Sequence, residues 1–305
     1  MKIPLIILTY NNLNIIHPLV NSLERNTFAA YRVIFVDNGS TDGTVDYLKQ
    51  VRARLPYDVV LLQLPKNLGV SKGWNVGIRW IRKNMSEARY VGFINSDIIL
   101  EEGWLIPMRK VLEDNPKAGM VDNVLYSAAD RTKVVSDGPT DSPDRGAFPY
   151  RGSSLRDFTL TVAPAPVRWG TFACALFRME AFDEIGLFDE RFLIYSSDFD
   201  IQIRLKLHGY EIWHCPGSQA YHMSFVTCAK VRATEPKIAF YMGEDGKYLF
   251  KKWGNEITRQ FKENLSWDIN YALRDIHGVD GDYSPRDVDK YEELLVYDAY
   301  SAPII

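Results

Sequence analysis

Between Arg32 and Thr44 the chain reads RVIFVDNGSTDGT, an apolar, β-branched run that stops on Asp37 and breaks at once into Asn, Gly, Ser, Thr and a second Gly. A run that is apolar at successive positions describes a strand buried on both faces, as in a parallel sheet covered by helices. Such sheets bind ligands outside the carboxyl ends of their strands, and here that end carries a carboxylate. Two further runs deliver polar side chains in the same way. PLIILTYNN places Thr9, Tyr10 and Asn11 after one apolar stretch, and YVGFINSDIIL places Asn95, Ser96 and Asp97 inside another. A strand from Phe93 to Leu100 with a carboxylate in its middle would bury an unpaired charge, so Asp97 is expected to have a cation or ligand as partner.

Strands and helices alternate through the first 125 residues. Strand Ile3 to Thr9 precedes a helix from about Leu13 to Asn26; strand Arg32 to Asp37 precedes a helix beginning near Asp42. Strand Val59 to Leu64 leads through KNLGVSKG into a helix with Trp74, Ile78 and Ile81 on one face, and a strand from Tyr90 to Leu100 follows. Repeated βαβ units imply an α/β fold with a mainly parallel sheet flanked by helices. From Ser127 to Val167 the composition shifts to Asp, Pro, Ser, Gly and Arg, and a long irregular excursion of this kind is usually functional or disordered. The pattern resumes at WGTFACALFRMEAFDEIG and runs through a helix containing SDFDIQIRLKLHG to the strand YEIWHCP. Beyond about Thr234, two amphipathic segments suggest a C-terminal helical extension, with Trp253, Phe261, Leu265 and Trp267 near helical spacing. The expected organisation is a main domain over 1–230, divided near 125, with the extension over 231–305.

Composition narrows the class. A chain of 305 residues that is 46% hydrophobic can bury a large core. With 36 basic and 39 acidic residues well mixed, it carries no electrostatic footprint for nucleic acid. The three cysteines fit neither a disulfide framework nor a zinc site, which favours a reducing compartment. No apolar run approaches the roughly 18 residues of a membrane span. The expectation is a cytoplasmic protein without a transmembrane segment, with peripheral membrane contact left open.

The ordered set VDNGSTDGT, NLGVSKGWNVGI, FINSDIIL, GLFDERFLIYSSDFDIQIRLKLHGY and a late His resembles glycosyltransferases of the GT-A (Rossmann-like) fold, family 2, and among them the rhamnosyltransferase-like members. The resemblance spans about residues 3 to 225. It implies inverting transfer of a sugar from a nucleotide-diphosphate donor, UDP-, dTDP- or GDP-linked, to an acceptor hydroxyl. A divalent cation, Mn²⁺ or Mg²⁺, is implied as cofactor. Glycan, lipid-linked saccharide, protein and modified nucleic acid all stay open as acceptors, as does a homo-oligomer.

Within that resemblance, Thr9, Tyr10, Asn11, Asp37, Asn67, Lys72, Asn95 and Ser96 fall on the donor side. Tyr10 can stack on a base and Asp37 can accept hydrogen bonds from a base or ribose. A capped NGSTDG turn is the competing account of Asp37, and a solvated surface charge that of Lys72. Asp42 sits where a helix N-cap belongs. Asn95, Ser96 and Asp97 align with the Asp-x-Asp motif of the fold, with Asn in place of the first Asp. Asp97 and the late His222 are then the metal ligands, a hard-oxygen site that keeps waters and phosphate oxygens. Asp198 aligns with the general base, and Ser197 replaces the Glu that precedes it in the family. Trp169, Gly170, Thr171 and Ser197 fall on the acceptor side, with a core role as the alternative for Trp169. Asp200 and Arg204, spaced i, i+4, are expected to form a structural ion pair.

Two functions follow: an active, metal-dependent transferase, or a nucleotide-sugar-binding protein of the same fold whose catalysis is impaired by Asn95 and Ser197. A nucleotidyltransferase would show a Gly-rich, Arg-containing loop after the first strand, where this chain has TYNNLN.

Overall fold

The computed structural model describes residues 2–26, 31–136, 162–223, 244–249 and 251–253. The first half is built as the alternation predicts: β1 (Ile3–Thr9), α1 (Leu13–Arg25), β2 (Tyr31–Asp37), α2 (Thr44–Arg54), β3 (Val59–Gln63), α3 (Val70–Asn84) and β4 (Tyr90–Asn95). β3, β2, β1 and β4 lie side by side and parallel, with Thr9 level with Asp37 and Asp37 level with Gln63. The polar tips read from the sequence therefore share one edge.

The expected strand from Tyr90 to Leu100 is two strands. β4 ends at Asn95, Ser96 and Asp97 form a turn, and β5 (Ile98–Leu100) leaves in another direction. Asp97 thus sits in a turn, where its side chain can face a ligand, and not within a continuous strand. α4 (Leu105–Asp114) and β6 (Ala118–Ser127) follow, then the short β7 (Val134–Ser136), β8 (Ala165–Val167) and β9 (Cys174–Arg178), the helices α5 (Ala181–Ile185) and α6 (Ser197–Leu207), and β10 (Glu211–His222). The main path of the sheet is β3-β2-β1-β4-β9-β6-β10-β5. β9 runs antiparallel between β4 and β6, and β5 antiparallel beside β10, so the sheet is parallel from β3 to β4 and mixed beyond it. Part of the irregular excursion is ordered as β7 and β8; residues 137–161 lie outside the described residues, as do Phe261, Leu265 and Trp267.

Two cores cover the two faces of the sheet. One gathers Leu5, Ile7, Leu19, Phe35, Trp104 and Leu176; the other gathers Ile6, Trp74, Phe93, Phe177, Phe182 and Phe188. Phe93 stands at the centre of the second, with edge-on contacts to Trp74, Phe177 and Phe188 at ring centroids of 5.2–5.4 Å. α3 approaches β1 so closely that a Cβ on Gly73 would lie 2.3 Å from a Leu8 methyl. That contact sets the depth of the α3 N-terminus against the sheet edge.

Candidate functional site

Four loops meet at the carboxyl edge of the sheet. Asp37 closes β2, and both of its oxygens are engaged by its own turn. Oδ2 accepts the Gly39 and Ser40 N–H groups at 3.2 and 2.9 Å, and Oδ1 accepts the Ser40 and Thr9 hydroxyls. With a carboxylate's roughly four acceptor positions filled and the residue 1% exposed, Asp37 works in this structure as the organiser of the NGS turn. Asn11, in the left-handed region at φ 47°, accepts the Thr41 N–H through Oδ1 at 2.7 Å and donates its own N–H to Ser40 Oγ. Asp42 lies one residue before the N-cap of α2, Gly43, and joins two helix starts, accepting the Thr44 N–H and hydroxyl through one oxygen and the Leu13 N–H through the other.

The next loop is joined by amides. Asn38 donates to Asn67 Oδ1 at 2.9 Å and accepts the Leu68 N–H at 2.8 Å, and Asn67 also accepts the Gly69 N–H. This pair fixes the turn in which Gly69, at φ +88°, leads into α3, where Lys72 stands part-buried on the first turn. Asn12 donates to Ser96, tying the β1 loop to the turn that holds Asp97.

Asp97 and His222 lie together, with Nε2 to Oδ1 at 3.2 Å. β5 and β10 bring them together: His222 is level with Ile98, and the Met223 N–H binds the Asp97 carbonyl at 3.0 Å. No set of three or more His, Cys, Asp or Glu suited to a metal occurs among the described residues. One carboxylate and one imidazole suit a hard divalent ion that takes its remaining ligands from water and phosphate oxygens.

The segment Trp169–Thr171 is held from beneath. Gly170 exchanges two hydrogen bonds with the Gln202 amide, and Gln202 also donates to the Asp198 carbonyl at 3.0 Å. Thr171 donates its N–H and hydroxyl to Asp122 Oδ2, while Asp122 Oδ1 lies 2.7 Å from His214 Nδ1 in a fully buried pair. Trp169 is almost wholly buried, edge-on to Phe199 and covered by the Lys206 ammonium 4.8 Å from its ring. It therefore supports the floor from below, and the core account of this residue describes its position. The Asn95 N–H binds the Ala173 carbonyl at 2.9 Å, so this segment abuts the β4 tip.

α6 brings two carboxylates with different environments. Asp200 is fully buried and saturated: Arg204 binds Oδ2 at 2.8–2.9 Å, while Lys252 Nζ and Trp253 Nε1 bind Oδ1 at 2.7 and 2.8 Å. Asp198, part-exposed in the first turn, accepts the Phe199 N–H at 3.0 Å. Desolvation pushes its carboxyl up to about 6, against that hydrogen bond. Ser196, at φ 66°, turns the chain into the helix, and Ser197 is buried beside it.

The model of the family described as "Glycosyl transferase family 2" matches residues 5–186. The chain belongs to that family. This family 2 member is a glycosyltransferase and an enzyme. It is 26% identical over 286 residues to the N-acetylglucosaminyl-diphospho-decaprenol L-rhamnosyltransferase of Mycobacterium tuberculosis, covering 89% of this chain and 90% of that one. Among solved structures it is similar to residues 1–349 of S. aureus TarS, at 18% identity and a TM-score of 0.53, with 97% of this chain and 93% of that chain covered. It is also similar to the mannosyltransferase PcManGT from Pyrobaculum calidifontis, in complex with GDP-Man and Mn²⁺, at 14% identity and a TM-score of 0.59, covering 98% and 82%. These likenesses show the fold, GT-A. In the family 2 enzyme no described helix is long and apolar enough to cross a membrane.

Several residues of this site carry no expectation from sequence. Asp122 and His214 are polar positions inside the apolar strands GMVDNVLY and EIWHCP, the same signal that marked Asp97. Gln202 lies one helical turn after Asp198, and Asn38 adjoins Asp37.

Proposed function

We propose that the chain is an inverting glycosyltransferase in which Asp198 is the general base. The observation that carries this reading is the contrast on α6: Asp200 is locked by Arg204, Lys252 and Trp253, whereas Asp198 is part-exposed with its carboxyl raised to about 6. At neutral pH such a group is ionised, yet a stronger base than an ordinary carboxylate. It takes the acceptor hydroxyl proton as that oxygen bonds to the anomeric carbon, while the bond from that carbon to the nucleoside diphosphate breaks on the opposite face.

Asp97 and His222 would hold a divalent ion, Mn²⁺ or Mg²⁺. Such an ion neutralises charge on the leaving diphosphate. The protein's own part is to hold those ligands 3.2 Å apart and to present the β1, β2 and β3 loops to the nucleotide. Tyr10, Lys72, Asn95 and Ser96 are the donor-side residues in this reading. Asp37 and Asn67 then act through the shape of their turns, since their acceptor atoms are already engaged. Thr9, Asn11, Gly170 and Thr171 form the frame of the site. The rhamnosyltransferase relative and the GDP-Man complex of the mannosyltransferase support a nucleotide-diphosphate sugar as donor and a saccharide on a lipid carrier as first acceptor to try, with the protein working from the cytoplasm at the membrane surface.

The test is release of nucleoside diphosphate from a panel of UDP-, dTDP- and GDP-sugars with Mn²⁺ or Mg²⁺ and N-acetylglucosaminyl-diphospho-lipid. One donor should turn over, with inversion at the anomeric carbon, and Asp198→Asn should lose about 10²- to 10⁴-fold in rate at near-normal donor affinity. Donor binding without turnover under all conditions would favour the binding protein instead.

A further inference from the structure

Beyond the residues matched by the family model lies a carboxylate that no part of this reaction uses. Asp245, in the helical stretch 244–249, is fully buried and reaches back to the loop before α6. Its two oxygens accept three successive backbone N–H groups: Leu193 at 2.9 Å, Ile194 at 2.6 Å and Tyr195 at 2.9 Å. No cationic side chain pairs with it among the described residues, so three peptide dipoles compensate the charge, as in a backbone nest. Burial outweighs them and pushes the carboxyl up to about 7, with the neighbouring Glu244 adding to the rise.

The loop it grips joins both halves of the site. The Leu193 carbonyl accepts the Val70 N–H at the start of α3 at 2.6 Å, and a Cβ on Gly69 would lie 2.8 Å from that oxygen. One residue past Tyr195 the chain passes through the left-handed Ser196 and enters α6 with Asp198. The same C-terminal stretch fastens the loop twice more. The Tyr248 hydroxyl and Lys252 Nζ both bind Asp189 at 2.8 Å, and the Tyr248 ring packs on Phe192 at 4.8 Å.

We propose that Asp245 is a positioning residue: by accepting the N–H groups of residues 193–195 it fixes the loop that carries Asp198 into the site. The proposal rests on the reading of Asp198 as base. Asp245, Tyr248 and Lys252 then support the site from outside the matched residues.

The test uses the full chain and its Asp245→Asn variant, whose single amide oxygen cannot serve three donors. Turnover of the accepted nucleotide sugar should fall about 10- to 100-fold in kcat, with donor KM changed less than about threefold, because displacement of the base by about 1 Å suffices for such a loss. Independently of turnover, a carbon-13 NMR titration of Asp198 in the free protein should move its midpoint from about 6 toward the ordinary carboxylate range as water reaches the loosened loop. Unchanged kcat together with an unchanged Asp198 midpoint overturns the proposal, whatever happens to Tm. Should Asp245→Asn fail to fold, Tyr248→Phe loosens the same loop without touching the buried acid; its kcat and Asp198 midpoint should move in the same direction, and no movement in either overturns the proposal. A wild type that turns over no donor refutes Asp198 as base, while the NMR titration still decides whether Asp245 sets its environment.

Discussion

Replacing Asp198 by Asn should make the protein more stable while disabling it. Raising a carboxyl from its ordinary 3.8 to about 6 corresponds to about 3 kcal/mol at 1.36 kcal/mol per pH unit. Because Asp198 is part-exposed, solvent screening reduces this to about 1–2 kcal/mol. The sign follows from linkage. A carboxyl with a raised pKa in the native state favours folding when protonated, so the full cost is present above pH 6 and fades as the pH falls through 6 toward 4. Asn carries no charge and escapes this cost. At pH 8 the variant should gain about 1–2 kcal/mol, or a Tm about 2–4 °C higher for a chain of this size; at pH 4.5 the two proteins should melt nearly together. Asp245, with its carboxyl near 7, titrates in both proteins and cancels in the difference. Scanning calorimetry at the two pH values, beside a transfer assay, provides the measurement. If Asp198→Asn lowers Tm equally at both pH values, the carboxylate is a cap of α6 and the argument for a strained base collapses.

Asp97→Ala should abolish metal-dependent stabilisation by the nucleotide-sugar donor while preserving the fold, and equal donor binding by variant and wild type over a range of Mn²⁺ concentrations would remove Asp97 from the metal site. Asp200→Asn leaves Arg204 and Lys252 under-paired against a fully buried position and should cost about 3 kcal/mol in urea denaturation, yet at permissive temperature it should slow transfer far less than Asp198→Asn; the reverse order would mean that the base is the other carboxylate. Gly69→Ala meets both a positive φ and the Leu193 carbonyl, and should lower stability by about 1–3 kcal/mol and raise donor KM, which melting curves and steady-state kinetics will show.

Strand tips were legible because an apolar run that ends on Asp, Asn or Thr has few ways to place those groups except at an edge. The Asp97–His222 pair and the Asp200–Arg204 pair emerged where the motif order and the helical spacing put them. What Asp37 does at its tip was not legible: the same NGS that reads as a loop beside a ligand also fills the carboxylate with its own N–H and hydroxyl groups. The turn at Ser96–Asp97 was hidden because Ile98 to Leu100 continue the apolar pattern of β4, and periodicity cannot report that they pair with a different strand. Insertion of β9 between β4 and β6 likewise depends on pairing across the fold. Asp245 had no local signal at all, since its three partners lie about 50 residues upstream and are backbone groups, identical in every sequence.

The edge position of β5 bears on the order in which the molecule assembles. Its neighbour in the sheet is β10, and bringing Ile98 beside His222 closes a span of 124 residues, an entropic charge on the order of 4 kcal/mol before any contact is made. β1 to β4 can pair as they leave the ribosome, each helix returning the chain a short distance. The turn bearing Asp97 must wait until β10 has docked. A nascent chain shorter than this leaves the flank of β6 as an unpaired edge, the kind of edge that templates wrong pairing.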